Sequence, residues 1–281
     1  MKILVTGVGG QLGYDVIAVL KQRNIECLGT DMAEFDITDF AATNQFITDY
    51  QPDAVIHCAA YTAVDKAEDN REICWTVNVN GTENIAKACK AINATMIYIS
   101  TDYVFPGDGE QFYEVDDKTN PLNVYGETKL AGEHLVRQML DKHFIVRISW
   151  VFGKNGNNFI KTMLRIGKDR DEVNVVCDQI GSPTYTADLA PLLCDMIVTD
   201  KYGTYHATNE GVCSWAEFAE EIFRQSDYNT KVNFIPTSSY PTRAKRPLNS
   251  RMSKASLSEA CFSRLPDWQD AVRRYLKEIK A

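Results

Sequence analysis

The stretch Lys2-Ile3-Leu4-Val5-Thr6-Gly7-Val8-Gly9-Gly10-Gln11-Leu12-Gly13 decides the fold. Residues 2–6 are mostly apolar and β-branched, which predicts a short buried strand, and helical spacing of apolar residues begins at 14–20. Between them a G-x-x-G-x-x-G pattern is formed by Gly7, Gly10 and Gly13. Missing side chains let the backbone approach a pyrophosphate, and a helix N-terminus supplies amide donors and a positive dipole end. The stretch therefore predicts a strand, a tight turn and a helix that bind a phosphate-bearing cofactor.

A second strand is predicted at 26–30, and it ends at Asp31. A carboxylate at that place accepts hydrogen bonds from an adenosine ribose and repels a 2′-phosphate, so it favours NADH over NADPH. Glycines alone are also compatible with a plain turn between a strand and a helix. The acidic residue in register with them favours the dinucleotide site.

The composition limits the classes of ligand. The chain has 281 residues and a net charge of −8, and its basic residues form no run longer than Arg243-Ala244-Lys245-Arg246. A negative chain without basic clusters is a poor match for nucleic acid or for an anionic membrane. We therefore expect a small-molecule ligand, no nucleic acid and no membrane.

The spacing of the cysteines and histidines indicates the redox compartment of the protein and whether it binds a metal. The eight cysteines form no C-x-x-C pair, and the four histidines show no H-E-x-x-H spacing. We therefore expect a reduced, cytoplasmic protein with mostly buried thiols, no disulfide framework and no metal site. No apolar run approaches the ~18 residues of a membrane helix, and we expect no signal peptide before Met1.

Strands and helices alternate along the first half of the chain. Further strands are predicted at 54–59, 94–100 and 144–150, with helical stretches between them. This alternation is typical of an α/β fold with a doubly wound parallel sheet, Rossmann-like, covered on both faces. Ligands in such sheets bind beyond the carboxyl ends of the strands.

The pattern loosens after about residue 153. A helix near 159–168, a strand at 173–176 and a helix at 214–225 follow. We predict an NAD(P)-binding domain at 1–153 and a smaller C-terminal substrate-binding lobe at 154–281, interleaved with the last strands of the sheet. The boundary is approximate.

Tyr125 and Lys129 are four residues apart on a predicted helix and therefore share one face. An ammonium beside a phenol favours the phenolate and lowers a pKa that is normally about 10. The pair thus predicts an acid–base tyrosine that works near neutral pH. An isolated Tyr-x-x-x-Lys is more often a solvated helix face, so the pair gains weight only from the glycine turn upstream.

Taken in order, Thr6-Gly7-x-x-Gly10-x-x-Gly13, Ser100-Thr101-Asp102-Tyr103-Val104-Phe105 and Tyr125-x-x-x-Lys129 make the chain resemble the extended short-chain dehydrogenase/reductases. Within them it is similar to the dTDP-4-dehydrorhamnose reductase branch. Four further blocks carry that narrower resemblance: 58–68, 149–153, 178–184 and 246–252. Two departures are Tyr61, where histidine is expected, and Met252, where leucine is usual. Both are tolerable substitutions, and the first alters contacts near the cofactor.

The resemblance implies a reductase reaction. NADPH or NADH would deliver a hydride to C4 of a 4-keto-6-deoxyhexose linked to dTDP. Tyr125 would donate the proton to the C4 oxygen, and such acid–base groups contribute about 10²–10⁴-fold. Lys129 would perturb the phenol and bind the nicotinamide ribose, and Thr101 would donate its hydroxyl to the carbonyl or to the phenol oxygen.

The same resemblance implies two sets of binding residues. For the cofactor they are Gly7, Gly10, Gln11, Leu12, Gly13, Asp31, Asp36, Ile37, Ala60, Tyr61, Thr62, Tyr125 and Lys129. For the substrate they are Thr101, Asp102, Trp150 and Arg246. Three of the substrate residues have plainer interpretations: Asp102 as a turn cap, Trp150 as core and Arg246 as a solvated surface residue.

The residues leave other functions open. The tyrosine, the lysine and the cofactor glycines would also serve a reductase or epimerase acting on another nucleotide-linked 4-keto sugar. A non-catalytic, NADP-binding regulatory subunit is a third interpretation, against which the intact Thr101, Tyr125 and Lys129 argue. The sequence leaves open a homodimer as well.

Overall fold

Within residues 1–280, which the computed structural model describes, the chain forms one six-stranded sheet, three smaller sheets and eleven α-helices. The strands are β1 (Lys2–Thr6), β2 (Glu26–Thr30), β3 (Ala54–His57), β4 (Thr95–Thr101), β5 (His143–Ile148), β6 (Val151–Phe152), β7 (Glu172–Val176), β8 (Ile180–Gly181), β9 (Thr184–Tyr185), β10 (Gly203–His206), β11 (Cys213–Ser214), β12 (Lys231–Ile235) and β13 (Asn249–Ser250).

The α-helices are α1 (Gln11–Gln22), α2 (Phe40–Tyr50), α3 (Val64–Asp69), α4 (Arg71–Trp75), α5 (Thr82–Ala91), α6 (Val124–Met139), α7 (Phe159–Asp169), α8 (Thr186–Met196), α9 (Trp215–Gln225), α10 (Ala255–Glu259) and α11 (Trp268–Lys280). A π-helical segment, Thr76–Gly81, joins α4 to α5, and 3₁₀ turns lie at Asp102–Val104 and Thr237–Ser239.

The large sheet is entirely parallel, with strand order β10-β5-β4-β3-β1-β2. The order reverses between β1 and β3, because the chain leaves β2 on one side of β1 and returns on the other. Such a reversal leaves a crevice at the carboxyl ends of the two strands, and ligands bind there in doubly wound folds.

Both faces of this sheet are covered. Ile3 and Val5 point to one face, where α1 and α8 pack, whereas Leu4 points to the other, where α2, α5 and α6 pack. All three side chains are fully buried. Because strands buried on both faces read as continuous apolar runs, the fold followed from the sequence, and the predicted doubly wound class is confirmed.

A second core lies in the C-terminal part of the chain. The strands β6 and β9 and the inner faces of α7, α9 and α11 form this core, and Phe218 lies at its centre. Between these elements the chain returns to the large sheet, where α8 covers one face and β10 forms an edge. The C-terminal half of the chain therefore contributes elements to both cores in alternation.

Two general features complete the fold. No helix among residues 1–280 combines the length and the apolar character needed to cross a membrane. All eight cysteines are free thiols, of which four are buried and one, Cys261, is exposed.

Candidate active site

A cleft of about 970 Å³ opens at the carboxyl edge of the large sheet, between the two cores. The predicted site residues that line it are Gly7, Gly10, Gln11, Leu12, Gly13, Asp31, Asp36, Ile37, Ala60, Thr62, Thr101, Asp102, Tyr125, Lys129 and Trp150. Tyr61 and Arg246 are not part of the lining. The structure thus brings together residues from distant parts of the sequence at one cleft.

The glycine turn is shaped for close approach. Gly7 has a φ of +72°, in the left-handed region that favours glycine. A Cβ on Gly13 would lie 2.4 Å from the Gly7 carbonyl oxygen, so this position also requires glycine. Gly10 precedes α1 without a side-chain cap, which leaves the amides at the start of the helix facing the cleft.

Asp31 is held against the glycine turn. Its Oδ2 accepts a hydrogen bond from the Gly9 amide at 2.9 Å, and its own amide donates to Glu34 Oε2 at 2.7 Å. Two carboxylates therefore lie at the end of β2, where the adenosine ribose is expected. This end of the cleft is acidic, as the sequence predicted.

The Gln11 side chain ties the start of α1 to the C-terminal part. Its Oε1 accepts from the Gly153 amide at 2.9 Å and from Asn158 Nδ2 at 3.0 Å. Asn155 Nδ2 in addition donates to the Gly9 carbonyl at 2.8 Å. Only the backbone of Gln11 is therefore left to face a phosphate.

Helix α6 carries Tyr125 and Lys129. Asn123 caps it by accepting from the Gly126 amide at 2.9 Å. Gly126 lets the helix approach the 3₁₀ turn, since a Cβ there would lie 2.3 Å from the Tyr103 carbonyl oxygen. Tyr125 is thereby brought beside the residues that follow β4, and its ring packs edge-on against Tyr103 at 5.6 Å between centroids.

The pKa of Tyr125 is raised rather than lowered. Burial is the main cause, the Asp102 carboxylate adds to it, and the Thr101 hydroxyl opposes it. The predicted lowering by Lys129 is therefore wrong. The helical spacing identified the face that the two residues share, but it contained no information on desolvation. A raised pKa keeps the phenol protonated at neutral pH, as a proton donor requires.

Lys129 is itself desolvated. It is buried, and its ammonium lies over the ring of Tyr98 at 4.0 Å from the centroid. Burial lowers the pKa of Lys129 to about 7, although Glu133 acts in the opposite direction. The side chain is therefore close to the midpoint of its titration under physiological conditions.

Both sequence and backbone match known proteins. The family model described as the RmlD substrate binding domain matches residues 1–281. The chain belongs to this family. It is 40% identical to the dTDP-4-dehydrorhamnose reductase of Escherichia coli (strain K12), over 99% of this chain and 98% of that protein.

Two solved structures of the family agree closely with this fold. The dTDP-4-dehydrorhamnose reductase from Clostridium acetobutylicum has a TM-score of 0.98 at 41% identity, covering 100% of both chains. The enzyme from Bacillus anthracis, in complex with NADP, has a TM-score of 0.96 at 41% identity, covering 99% of this chain and 100% of that one. The predicted resemblance is confirmed, and with it the enzyme class, a reductase.

Within this family fold, Trp150 lines the cleft with one ring face packed against another tryptophan. It stacks on Trp215 with centroids 3.9 Å apart, and a Cβ on Gly181 would lie 3.0 Å from its ring. Its backbone has a φ of +50°, unusual for a bulky residue. Both Trp150 and Trp215 line the cleft.

Arg246 is already paired. Its Nη2 donates to Asp65 at 2.5 Å, and its Nη1 donates to the Tyr103 hydroxyl at 3.0 Å. The predicted contact with a substrate diphosphate would require Arg246 to share or exchange these partners. Tyr61 is held through its backbone, which donates to and accepts from the Asn78 side chain.

Sequence reasoning missed three residues at the cleft or next to it: Tyr103, Trp215 and Ser250. Tyr103 lay inside a block that was recognised, but its contact with Tyr125 depends on how α6 packs. Trp215 begins a helix that the apolar pattern predicted, yet its stacking on Trp150 depends on tertiary structure. Ser250 reaches Asp102 from a part of the chain 148 residues away.

Proposed function

We propose that this protein reduces the C4 keto group of dTDP-4-dehydro-L-rhamnose with NADPH or NADH, giving dTDP-L-rhamnose. The observation that carries the proposal is the position of the protonated Tyr125 phenol at the same cleft as the glycine turn. Family membership supports the nucleotide sugar, because the E. coli and C. acetobutylicum relatives bear the name of this reductase.

The residues at the cleft fit a dinucleotide. The Gly7 conformation and the space at Gly13 admit a pyrophosphate against the backbone, and the uncapped start of α1 supplies amide donors. Asp31 would accept from the adenosine ribose, with Asp36 and Ile37 beside the adenine. Ala60 and Thr62 would border the nicotinamide. The NADP complex of the B. anthracis relative supports this assignment.

When bound, the cofactor supplies the hydride, and the protein's own groups manage the charge. Negative charge develops on the C4 oxygen as the carbonyl is reduced, so a donor placed there lowers the barrier. Tyr125 would hold its proton at the phenol oxygen for that transfer. Lys129 would bind the nicotinamide ribose and stabilise the phenolate that remains after the transfer. The C-terminal lobe, 154–281, would cover the sugar and exclude water.

An epimerase or a reductase for another sugar would use the same catalytic groups, so the substrate must be tested directly. We expect the wild-type protein to reduce dTDP-4-dehydro-L-rhamnose with a kcat/KM about 10–100-fold above that for UDP- or GDP-linked 4-keto sugars. Oxidation of the reduced cofactor measures the rates, and NMR identifies the product. A preference for a GDP-sugar would overturn the substrate assignment, and no turnover with any sugar would favour the regulatory interpretation.

Removing the Asp31 carboxylate should change the cofactor preference. In Asp31→Ala, a 2′-phosphate no longer meets the carboxylate that lines the cleft, so the ratio of kcat/KM for NADPH to that for NADH should rise about five- to tenfold. Glu34→Ala is the matched control, because Glu34 contacts Asp31 but does not line the cleft; it should leave the ratio within about twofold. An unchanged ratio in Asp31→Ala would place this carboxylate away from the ribose.

A further inference from the structure

The cleft offers few positive charges to balance a diphosphate. Among its lining side chains in residues 1–280, one is basic, Lys129, and four are acidic: Asp31, Asp36, Glu72 and Asp102. Lys129 is already assigned to the nicotinamide ribose. Uncharged donors such as backbone amides must therefore bind most of a cofactor pyrophosphate, and the start of α1 provides one set of them.

A loop of the C-terminal part, residues 153–158, is fastened to the glycine turn. Its Asn155 side chain donates through Nδ2 to the Gly9 carbonyl at 2.8 Å. A Cβ on Gly156 would lie 3.6 Å from Gln11 Cγ, so the loop also packs on the first residue of α1. The 153–158 loop therefore lies opposite the place where the turn and the helix would receive a pyrophosphate.

The 153–158 loop carries three successive backbone amides without a partner. Within residues 1–280, the amides of Asn155, Gly156 and Asn157 donate to no other group. Gly156 has a φ of +69°, in the left-handed region. Successive amides in a turn with a left-handed residue can converge on an anion. Because Gly156 and Asn157 line the cleft, their amides are available to a ligand there.

Lys161 orients part of this loop. Its Nζ donates to the Lys154 carbonyl at 2.6 Å and to the Gly156 carbonyl at 2.7 Å. The peptide bonds are trans, and in a trans peptide bond the N–H points opposite to the carbonyl. The N–H groups of Asn155 and Asn157 therefore point away from the ammonium. The lysine also places a positive charge behind the loop, which favours an anion in front of it.

We propose that the 153–158 loop is the second wall of the cofactor pyrophosphate site: Asn155 positions the loop on the glycine turn, and the Gly156 and Asn157 amides donate to phosphate oxygens. The inference deepens the proposed function and rests on it for the use of NADH or NADPH. The proposed nucleotide-sugar substrate also contains a diphosphate. The contacts with Gly9 and Gln11 favour the cofactor, because both residues belong to the dinucleotide turn.

Asn155→Ala tests the inference by removing the bond to Gly9. Calorimetric titration should show that the dissociation constants for NADH and ADP-ribose, which both contain the pyrophosphate, rise about five- to tenfold. Those for adenosine and dTDP should change by less than about twofold. Asn174→Ala is the matched control, because Asn174 is exposed, pairs with Asn233 and does not line the cleft; it should leave all four constants unchanged.

Hydrogen exchange separates a direct contact from an indirect effect on the glycine turn. In the wild type, ADP-ribose should slow the exchange of the Gly156 and Asn157 amides, measured by NMR, whereas adenosine should not. An unchanged NADH constant in Asn155→Ala, an equal loss for adenosine, a loss confined to dTDP, or no slowing by ADP-ribose would overturn the inference. These measurements need no sugar turnover, so a protein that binds NADH but reduces no 4-keto sugar would refute the proposed reaction alone.

Discussion

Replacing Tyr125 with phenylalanine should lower kcat about 10²–10⁴-fold, because the change removes the proposed proton donor and retains the ring. The ring's edge-on contact with Tyr103 and the position of α6 should persist, so NADH should bind as in the wild type. Steady-state oxidation of the reduced cofactor measures the first effect, and fluorescence titration measures the second.

Tyr103→Phe is the comparison for this prediction. The Tyr103 hydroxyl accepts a hydrogen bond from Arg246, and the loss of this one bond should lower kcat less than about tenfold. A Tyr125→Phe protein with nearly full activity would remove this tyrosine from the mechanism. Equal losses in both variants would indicate a shared structural effect of the two packed rings.

Sequence alone predicted the parts of the site that depend on local rules. The glycine turn, Asp31 at the end of β2 and the shared face of Tyr125 and Lys129 all follow from spacing within one element or between neighbours. The parallel sheet followed from alternating apolar strands and helices. β10 was not recognised as a separate strand, because its sequence Gly203-Thr204-Tyr205-His206 lacks the apolar run that marked the equally short β3.

The parts that failed depend on desolvation and on tertiary contacts. The direction of the Tyr125 pKa is decided by burial, which the spacing of a tyrosine and a lysine does not encode. The stacking of Trp150 on Trp215, which lies on a helix of the other core, was likewise not part of the prediction. Such contacts join residues that are far apart in sequence, so no local sequence pattern predicts them.

Replacing Arg147 with methionine should destabilise the fold by about 3–5 kcal/mol, because it leaves the carboxylate of Glu133 buried without its main partner. Glu133 is fully buried, and Arg147 binds both of its oxygens at 2.8 Å, Nε to Oε1 and Nη2 to Oε2. Ser100 adds a hydrogen bond of 2.6 Å. Since Glu133 lies one turn after Lys129 on α6, the ion pair also anchors the helix that carries Tyr125 and Lys129. Urea unfolding measures the loss.

Arg137→Met provides a matched control on the same carboxylate. Arg137 donates to Glu133 Oε2 at 2.8 Å, but its side chain is 35% exposed, against 2% for Arg147. A solvated partner contributes little, so this variant should lose less than about 1 kcal/mol. Similar losses of unfolding free energy in the two variants would show that the burial of Arg147 does not increase its contribution to stability.

The effect of Arg147→Met should also depend on pH. In the wild type, hydrogen bonds from Arg147 and its charge lower the pKa of Glu133, so this carboxylate stabilises the fold above its unfolded value of about 4.3 and loses that effect as the pH falls through the lower folded pKa. In the variant, burial without Arg147 raises the pKa above the unfolded value. Protonation then relieves the buried charge, so the difference in unfolding free energy should be smaller at pH 5 than at pH 8.

The double variant Arg147→Met/Glu133→Leu should recover much of the stability, because the two apolar side chains leave no charge to desolvate. Arg147 also donates to the Val115 carbonyl, so recovery should be incomplete. A double variant as unstable as Arg147→Met would assign the loss to packing around Arg147 rather than to the unpaired carboxylate. If the double variant regained its unfolding free energy but had a lower kcat, the main role of the ion pair would be to position Lys129 and not to stabilise the fold.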